Sequence, residues 1–402
     1  MRIAVIGAGA GGIMAGLAAA RSHNEVVLFE RNDKVGRKLL VTGSGRCNIT
    51  NTAISAERYV CADQAWVAEF LVRFGVGELK QWLWDLGIPI KHTDDGWYYP
   101  CSESAQAVVG ILEQRLLDSG IKLRVATTIK QINRLGTGED GFRVAWQSEA
   151  GLHHENFDRV IVAAGGRAYP ELGSKGELIA TLQRLGHTIH PQIPGLGPIY
   201  VRLGNFKQLQ GLRFDVRAAI YEGDTCLGQA NGNVIVTEKG FNGPGVMDLS
   251  HLVGLNPGHD LNLHVSFDFV DTPVFRSLAE QPGQTILSLL EAYLPPKAAE
   301  WLIEHAWLKP DDSLGAEQLE KLIQAAELSF EVTGAGDFTR SQVTVGGVSI
   351  AEVSPETCES RLVPGLYLIG ETLDVAGPCG GFNLHFASGS GFLAGTHLAQ
   401  SS

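Results

Sequence analysis

The chain has 402 residues and a mass of 43.2 kDa, with 44% hydrophobic and 19% charged residues. That suffices for about two to three domains with substantial cores, and it excludes a disordered chain or one that needs disulfide or metal staples. Lysine and arginine number 32 against 44 aspartates and glutamates, a formal net charge of −12, which argues against nucleic acid or an anionic membrane as partner. The 49 glycines exceed the usual share of about 7% and cluster in short runs, so they read as backbone devices. Cysteines at 47, 61, 101, 226, 358 and 379 form no CxxC pair and show no zinc spacing, the pattern of reduced thiols in a cytoplasmic protein.

Residues 3–20 carry no charge and hold Gly12 and Gly16 at small-xxx-small spacing, which imitates a signal peptide or membrane span. The stretch divides instead into a five-residue strand, a glycine turn and an alanine-rich helix running to about residue 22. A second strand follows at 25–29, so about 30 residues make one βαβ unit. No other segment approaches the roughly 20 apolar residues a span needs.

Residues 31–62 are glycine-rich and polar. Amphipathic helices are expected near 64–73 and 76–86, and an edge hairpin at Trp97-Tyr98-Tyr99 after the turn Asp94-Asp95-Gly96. A helix over 104–118 closes at Gly120, and a strand follows over 121–125. Alternation near 127–134 and 142–147 predicts a meander, and residues 159–163 a buried strand running into Gly165-Gly166. Composition changes near Pro191. Residues 199–266 read as short antiparallel strands, 272–327 as helices, 366–369 as a buried strand and 384–399 as a last helix. His187 and His190 read as turn residues.

Gly7, Gly9 and Gly12 complete a GxGxxG between strand and helix. The first glycine permits the tight turn, the second lets the backbone approach a pyrophosphate, and the third lets helix and strand pack closely. The helix N-terminus offers free N–H groups to the phosphates. Glu30, 23 residues after Gly7, can accept hydrogen bonds from ribose hydroxyls and would repel a 2′-phosphate, which favours FAD or NAD over NADP. A nicotinamide dehydrogenase would continue with further βαβ units. Here a long glycine-rich stretch follows, then VAAGG at 162–166, and LYLIGE returns at 366–371. That order describes a two-part FAD domain whose terminal helix points its N-terminus at the flavin pyrimidine.

Four blocks then carry a resemblance: GRKLLVTGSGRCNITN (36–51), GWYYPCSESAQAV (96–108), VAAGGRAYPELGSKGELIATLQRLGHTIHPQIPGLGP (162–198) and VTVGGVSIAEVSPETCESRLVPGLYLIGETLDVAGPCGGFNLHFASGSG (343–391). With GFNGPGV at 240–246, they resemble the BaiN/YhiN-type flavoprotein family, which includes proteins described as aminoacetone oxidase-like. The resemblance covers nearly the whole chain. It implies an α/β fold: a Rossmann-like two-part FAD-binding domain interrupted by a small β-barrel carrying a helical subdomain. The corresponding spans are 1–190 and 346–402 for the FAD domain, with a barrel over 191–266, helices over 267–327 and return strands over 328–345. The sequence departs from the family pattern at Thr237-Glu238-Lys239-Gly240-Phe241-Asn242-Gly243-Pro244, at Trp97 and at His385, so relatives' substrates do not transfer automatically.

On this resemblance the FAD-binding set comprises Gly7, Gly9, Gly12, Glu30, Arg31, Arg37, Lys38, Gly43, Gly45, Arg46, Cys47, Asn48, Ile129, Ala164, Gly165, Gly370, Glu371, Asp374, Gly381, Asn383 and Leu384. Arg37, Lys38 and Arg46 suit pyrophosphate or ribityl contact, since Arg pairs with phosphate bidentately; the alternative is solvated loop charge. Glu371 and Asp374 suit hydrogen bonding to the ribityl chain, or capping of the next turn. Asn383 and Leu384 offer backbone N–H groups to a flavin carbonyl. Cys47 has no second cysteine nearby, so buried packing is its better reading. Cys379 stands beside Gly380-Gly381, where the flavin ring is expected, and a redox role there is the less favoured reading. His385 could donate a proton beside the flavin, although a lone helical His is more often structural.

The expected activity is that of an FAD-dependent oxidoreductase acting on a small molecule, with NAD(P)H as a transient reductant at the flavin face. Two versions follow from the resemblance: reduction of an activated C=C bond as in steroid-like enones, or oxidation of a small amine. Gly334-Ala335-Gly336-Asp337 lacks the strand–helix setting and third glycine of a second nucleotide site. A different class stays open, an FAD-stabilised scaffold with a partner-binding insert. A dehydrogenase without flavin is excluded if the protein is yellow. No metal site is expected, and the oligomeric state is open.

Overall fold

The computed structural model describes residues 1–136 and 140–401. The chain separates into two compact units, residues 1–193 with 342–402, and residues 194–341.

The first unit is built on a five-stranded parallel sheet. Its order is Leu366–Leu368, Arg159–Val162, Arg2–Ile6 (β1), Glu25–Phe29 (β2), Lys122–Arg124. The centre is apolar on both faces: Ile3, Ala4, Val5, Val27, Leu28 and Val160 to Val162 have no exposed surface. That is why these strands are continuous Val/Ile/Leu runs with no polar alternation. Each such side chain contributes about 1.5–3 kcal/mol on burial. β1 pairs in register with both neighbours, Val5 lying opposite Leu28 on one side and Ile161 on the other. Side chains and backbone at the C-terminal ends of these strands, Ile6, Phe29 and Val162, therefore lie together at one edge.

Helix Ala10–Ala19 (α1) covers one face together with the terminal helix Phe382–Gln400. The two approach through small residues. A Cβ on Gly391 would lie 2.1 Å from the Gly11 carbonyl oxygen, and one on Gly395 2.4 Å from that of Ala15. The uncharged N-terminal stretch is thus a close helix–helix seam inside a folded domain. Among the described residues no helix is long and apolar enough to cross a membrane.

Strand Trp97–Pro100 was expected at an edge. It is the central strand of three, between Thr50–Asn51 and Ile90–His92. The two-residue partner Thr50–Asn51 has no periodicity to betray it. The meander has a third strand, Gly151–Phe157, antiparallel to Phe142–Ser148.

The second unit contains a closed six-stranded barrel in the order Ile199–Val201, Gly240–Asn242, Thr225–Val236, Arg213–Glu222, Leu261–Ser266, Glu327–Ala335. Helices Pro273–Ala279, Ile286–Glu291, Pro296–His305 and Ala316–Ala326 lie in the chain before its last strand. Barrel and helices share one core. Phe206 meets Trp301 of helix Pro296–His305 at 4.8 Å, Phe241 at 5.7 Å and Phe330 at 5.3 Å between ring centroids.

Candidate FAD site

At the edge where β1 and β2 end, Gly7 adopts φ +104°, and a Cβ there would meet the Ala163 carbonyl oxygen at 2.4 Å. A Cβ on Gly12 would sit 1.8 Å from the Gly7 oxygen. Both glycines are demanded by the fold itself. Gly9 differs: its Cβ would meet nothing within 4 Å. The space before the turn is open at the position where a dinucleotide backbone approaches. Helix α1 has no side-chain cap, and its first internal bond runs from Ile13 N–H to the Gly9 oxygen at 3.0 Å. The N–H groups of Ala10, Gly11 and Gly12 precede that bond, and this terminus suits a pyrophosphate.

Glu30 is 8% exposed at the end of β2. Its Oε2 accepts the Ala8 N–H at 2.8 Å, while Oε1 accepts the Asn32 N–H and Nδ2–H, each at 2.8 Å. An ionised carboxylate has about four acceptor positions, so one remains for a ribose hydroxyl. Arg37 donates to Asn32 Oδ1 at 3.0 Å. Arg31 reaches away to the Gly173 oxygen (3.1 Å) and Glu177 (2.8 Å). Thr127 N–H donates to the Glu30 oxygen at 2.8 Å, which brings the start of the Ile129 strand to the same place. Ile129 itself is buried.

Further along, Lys38 Nζ and Glu371 Oε2 pair at 2.6 Å. Glu371 Oε1 also accepts the Thr344 N–H at 3.0 Å, and Thr344 Oγ1 accepts Arg167 and Ala168 N–H groups at 2.7 and 3.1 Å. The segment after Ala164 and Gly165 is thereby fastened to the Glu371 turn. Gly370, at φ +58°, donates its N–H to Ser390 of the terminal helix at 2.9 Å. Asp374 is buried, with His190 Nε2 at 3.8 Å from its Oδ2. Burial pushes its carboxyl up, and His190 and the Gly346 N–H act the other way.

The third group lies on the loop holding Gly43 (φ +55°), Gly45 (φ +84°) and Cys47 (φ +62°). A Cβ on Gly43 would sit 2.8 Å from the Asn48 nitrogen. Cys47 is 1% exposed, and burial pushes its thiol up to about 11, so it is packing and not redox machinery. Arg46 lies over the Tyr99 ring at 4.5 Å, donates to its hydroxyl at 3.2 Å and is 3.8 Å from Glu103. Asn48 Oδ1 is buried and has no hydrogen-bond partner among the described residues, which suits an N–H group.

Across from this loop, Gly381 (φ +94°) starts the terminal helix, and a Cβ on it would strike the Thr50 nitrogen at 2.6 Å. The first internal bond is His385 N–H to the Gly381 oxygen at 2.9 Å, so the N–H groups of Phe382, Asn383 and Leu384 precede it. The Asn383 side chain holds the Gly377 N–H and oxygen at 2.9 and 2.8 Å. Asn51 donates to the Gly380 oxygen at 3.0 Å. The open face at Gly9, the spare acceptor of Glu30, the unpartnered Asn48 oxygen and two uncapped helix starts fit an FAD molecule. Adenosine would lie toward Glu30 and the ring toward Asn48.

Of two histidines, His385 follows the structural reading favoured for a lone helical His, and His187 departs from its reading as a turn residue. His385 is fully buried with both ring nitrogens engaged, Nδ1 with Thr50 Oγ1 at 2.8 Å and Nε2 with the Phe74 oxygen at 3.2 Å. Burial lowers it to about 4, so it is not a proton donor at neutral pH. His187, read as a turn residue, is buried, with Glu352 on Nδ1 and Ser360 on Nε2, each at 3.0 Å. Asn32, Thr50, Asn51 and Thr344 were not singled out from sequence. Thr50 and Asn51 sit inside the first quoted block and Thr344 inside the fourth, which was the signal.

A family profile described as HI0933-like protein Rossmann domain matches residues 1–397. A 3-dehydro-bile acid delta(4,6)-reductase of Clostridium scindens is 34% identical over 99% of both chains. A ribosomal RNA dihydrouridine synthase of Escherichia coli is 28% identical over 98% of this chain and 97% of that one. The structure of a 3-ketosteroid delta1-dehydrogenase from Sterolibacterium denitrificans aligns over 100% of this chain and 99% of its own, with a TM-score of 0.53 at 12% identity, a likeness of fold. This chain belongs to the HI0933-like Rossmann family and is an oxidoreductase built on an FAD-binding fold.

Proposed function

We propose that this FAD-dependent oxidoreductase saturates a carbon–carbon double bond conjugated to a carbonyl in a small, largely apolar molecule, with NAD(P)H as electron source. The observation that carries the reading is the 34% identity over 99% of both chains to a delta(4,6)-reductase of a 3-dehydro bile acid. The dihydrouridine synthase relative supports the bond type from another direction, because dihydrouridine is uridine with the double bond beside a ring carbonyl saturated. The charge favours the apolar substrate over RNA. Residues 194–341 carry 10 lysines and arginines against 19 aspartates and glutamates, a net of −9 out of −12 for the chain. A polyanionic RNA gains little there, since RNA affinity rests on phosphate neutralisation.

Bound FAD supplies the two-electron chemistry. The chain's part is to bind and orient. The Gly7–Gly12 turn and α1 receive the pyrophosphate, and Glu30 receives the ribose. The Lys38–Glu371 pair fixes the turn at Gly370, and the start of the terminal helix would offer its N–H groups and partial positive charge to the flavin. At neutral pH the Cys47 thiol keeps its proton and the His385 ring stays neutral with its one N–H committed to Phe74, so neither takes part in transfer. Gly334 and Ala335 end a barrel strand, so the second glycine cluster offers no nucleotide turn, and a nicotinamide would bind transiently.

The test is an absorption spectrum of the purified protein, then anaerobic titration with NADH and NADPH. A 3-oxo-delta4 steroid, a uridine-containing RNA and aminoacetone follow in separate cuvettes. The expected result is a yellow protein, bleached by one nicotinamide and reoxidised by the enone. Bleaching by aminoacetone without nicotinamide, or reoxidation by RNA and not by the enone, would overturn the reading.

A further inference from the structure

We propose that His385 is a positioning residue, a neutral two-ended bridge that holds the flavin-facing start of the terminal helix. The inference rests on the FAD reading above.

The partners assign the ring's proton. The Phe74 oxygen can only accept, so Nε2 carries the hydrogen, and Nδ1 then accepts from the Thr50 hydroxyl. One ring therefore ties three segments: the strand Thr50–Asn51, the end of helix Gln64–Arg73 at Phe74, and the first turn of the terminal helix. The same turn is held by Asn51 on the Gly380 oxygen and by Tyr59, whose hydroxyl donates to the Phe382 oxygen at 3.1 Å. His385 follows immediately after Phe382, Asn383 and Leu384, whose N–H groups precede the first helical bond. Its ring sets where those donors stand. Phe74 packs on the ring at 5.8 Å, and the charged group that acts on it is Glu78 from helix Val76–Asp85. Burial outweighs Glu78 and keeps the ring neutral.

A helix N-terminus stabilises negative charge over a short range, so loosening it weakens reduced flavin more than oxidised flavin. Glutamine can reproduce both bonds, its carbonyl accepting from Thr50 and its amide donating to Phe74. Leucine fills similar space and makes neither.

The experiment is the midpoint potential of the FAD-loaded full chain, read by dye equilibration, for wild type, H385L and H385Q. H385L is expected to lose about 10-fold in the affinity of reduced over oxidised flavin, about 30 mV more negative. H385Q is expected to match wild type, and the rate of flavin reduction from about pH 5 to about pH 8 should superimpose for the two. An unchanged potential in H385L, a loss in H385Q as large as in H385L, or a wild-type ionisation missing in H385Q would each overturn the proposal. Should H385L not fold, T50V removes one bond and must shift the potential in the same direction by a smaller amount; no shift overturns the proposal. A chain that binds no FAD overturns this and the proposed function together. Normal FAD binding and turnover with an unshifted H385L potential overturns this alone.

Discussion

Gly391 to alanine is the sharpest perturbation of the seam between α1 and the terminal helix, behind the proposed nucleotide turn. The added Cβ would lie 2.1 Å from the Gly11 oxygen, 2.9 Å from its carbonyl carbon and 3.1 Å from its Cα. All three are backbone atoms of α1 and cannot rotate away, so the helices must separate by about 1 Å to restore ordinary contact. Alanine gains about 1 kcal/mol in helix propensity. Overpacking costs about 1–3 kcal/mol and more when the neighbour is rigid. The net expectation is a destabilised first unit, with α1 displaced at the turn proposed to receive the pyrophosphate. The apparent FAD dissociation constant should rise about 10-fold, equivalent to about 1.4 kcal/mol. Gly110 is the control. It lies in helix Ala105–Asp118, and a Cβ there meets nothing within 4 Å, so G110A should stabilise by about 0.5–1 kcal/mol. Thermal melts with and without FAD, together with flavin fluorescence titration, read both effects. G391A melting with wild type and binding FAD equally well would refute the reasoning.

Acid should destabilise the first unit through His385. Its folded value of about 4 lies below the ordinary 6.5, so the stabilisation is complete above about pH 6.5 and falls as pH drops toward 4, by about 3 kcal/mol in all. Denaturant midpoints between about pH 7 and about pH 5 should fall less steeply in H385Q; equal slopes would count against the account. E30Q places an amide NH2 group against the donors of Ala8 or Asn32, so FAD affinity should fall about 10-fold by fluorescence titration, and unchanged affinity would show that the carboxylate is dispensable. Maleimide should label the exposed Cys101 and Cys226 first. Cys47 and Cys358, pushed up to about 11 and about 12 by burial, should stay unlabelled until unfolding; rapid labelling of Cys47 by mass spectrometry would contradict its burial.

The two strands of the βαβ start, 2–6 and 25–29, were legible to the residue, because an apolar run broken by glycines leaves few alternatives, while the helix between them ends at Ala19, short of the expected 22. The terminal helix starts at Phe382, two residues before the expected 384, because Gly380 and Gly381 at positive φ form its entry and look like loop in sequence. Strand Gly151–Phe157 was missed since its outward residues include Leu152 and its inward ones His153 and Glu155, which blurs the alternation. The bonding of His385 could not be read, because Thr50 and Phe74 lie 335 and 311 positions away. Residue type indicates capacity for acid–base work; burial and fixed partners decide against it here.

The outermost strand of the parallel sheet, Leu366–Leu368, and the helix that seals α1 both come from residues beyond 341. During synthesis the first 193 residues therefore emerge with one sheet edge unpaired and the Gly11 seam bare, and 148 residues of the other unit intervene before the missing pieces arrive. Folding of that intervening unit shortens the effective tether, because closing an unfolded loop of such length carries an entropic cost that a folded unit avoids. On the proposed site, capture of the vitamin-derived cofactor would accordingly be a late event in the life of the polypeptide. A nascent chain stalled before residue 366 should expose a sticky strand edge and recruit holdase chaperones.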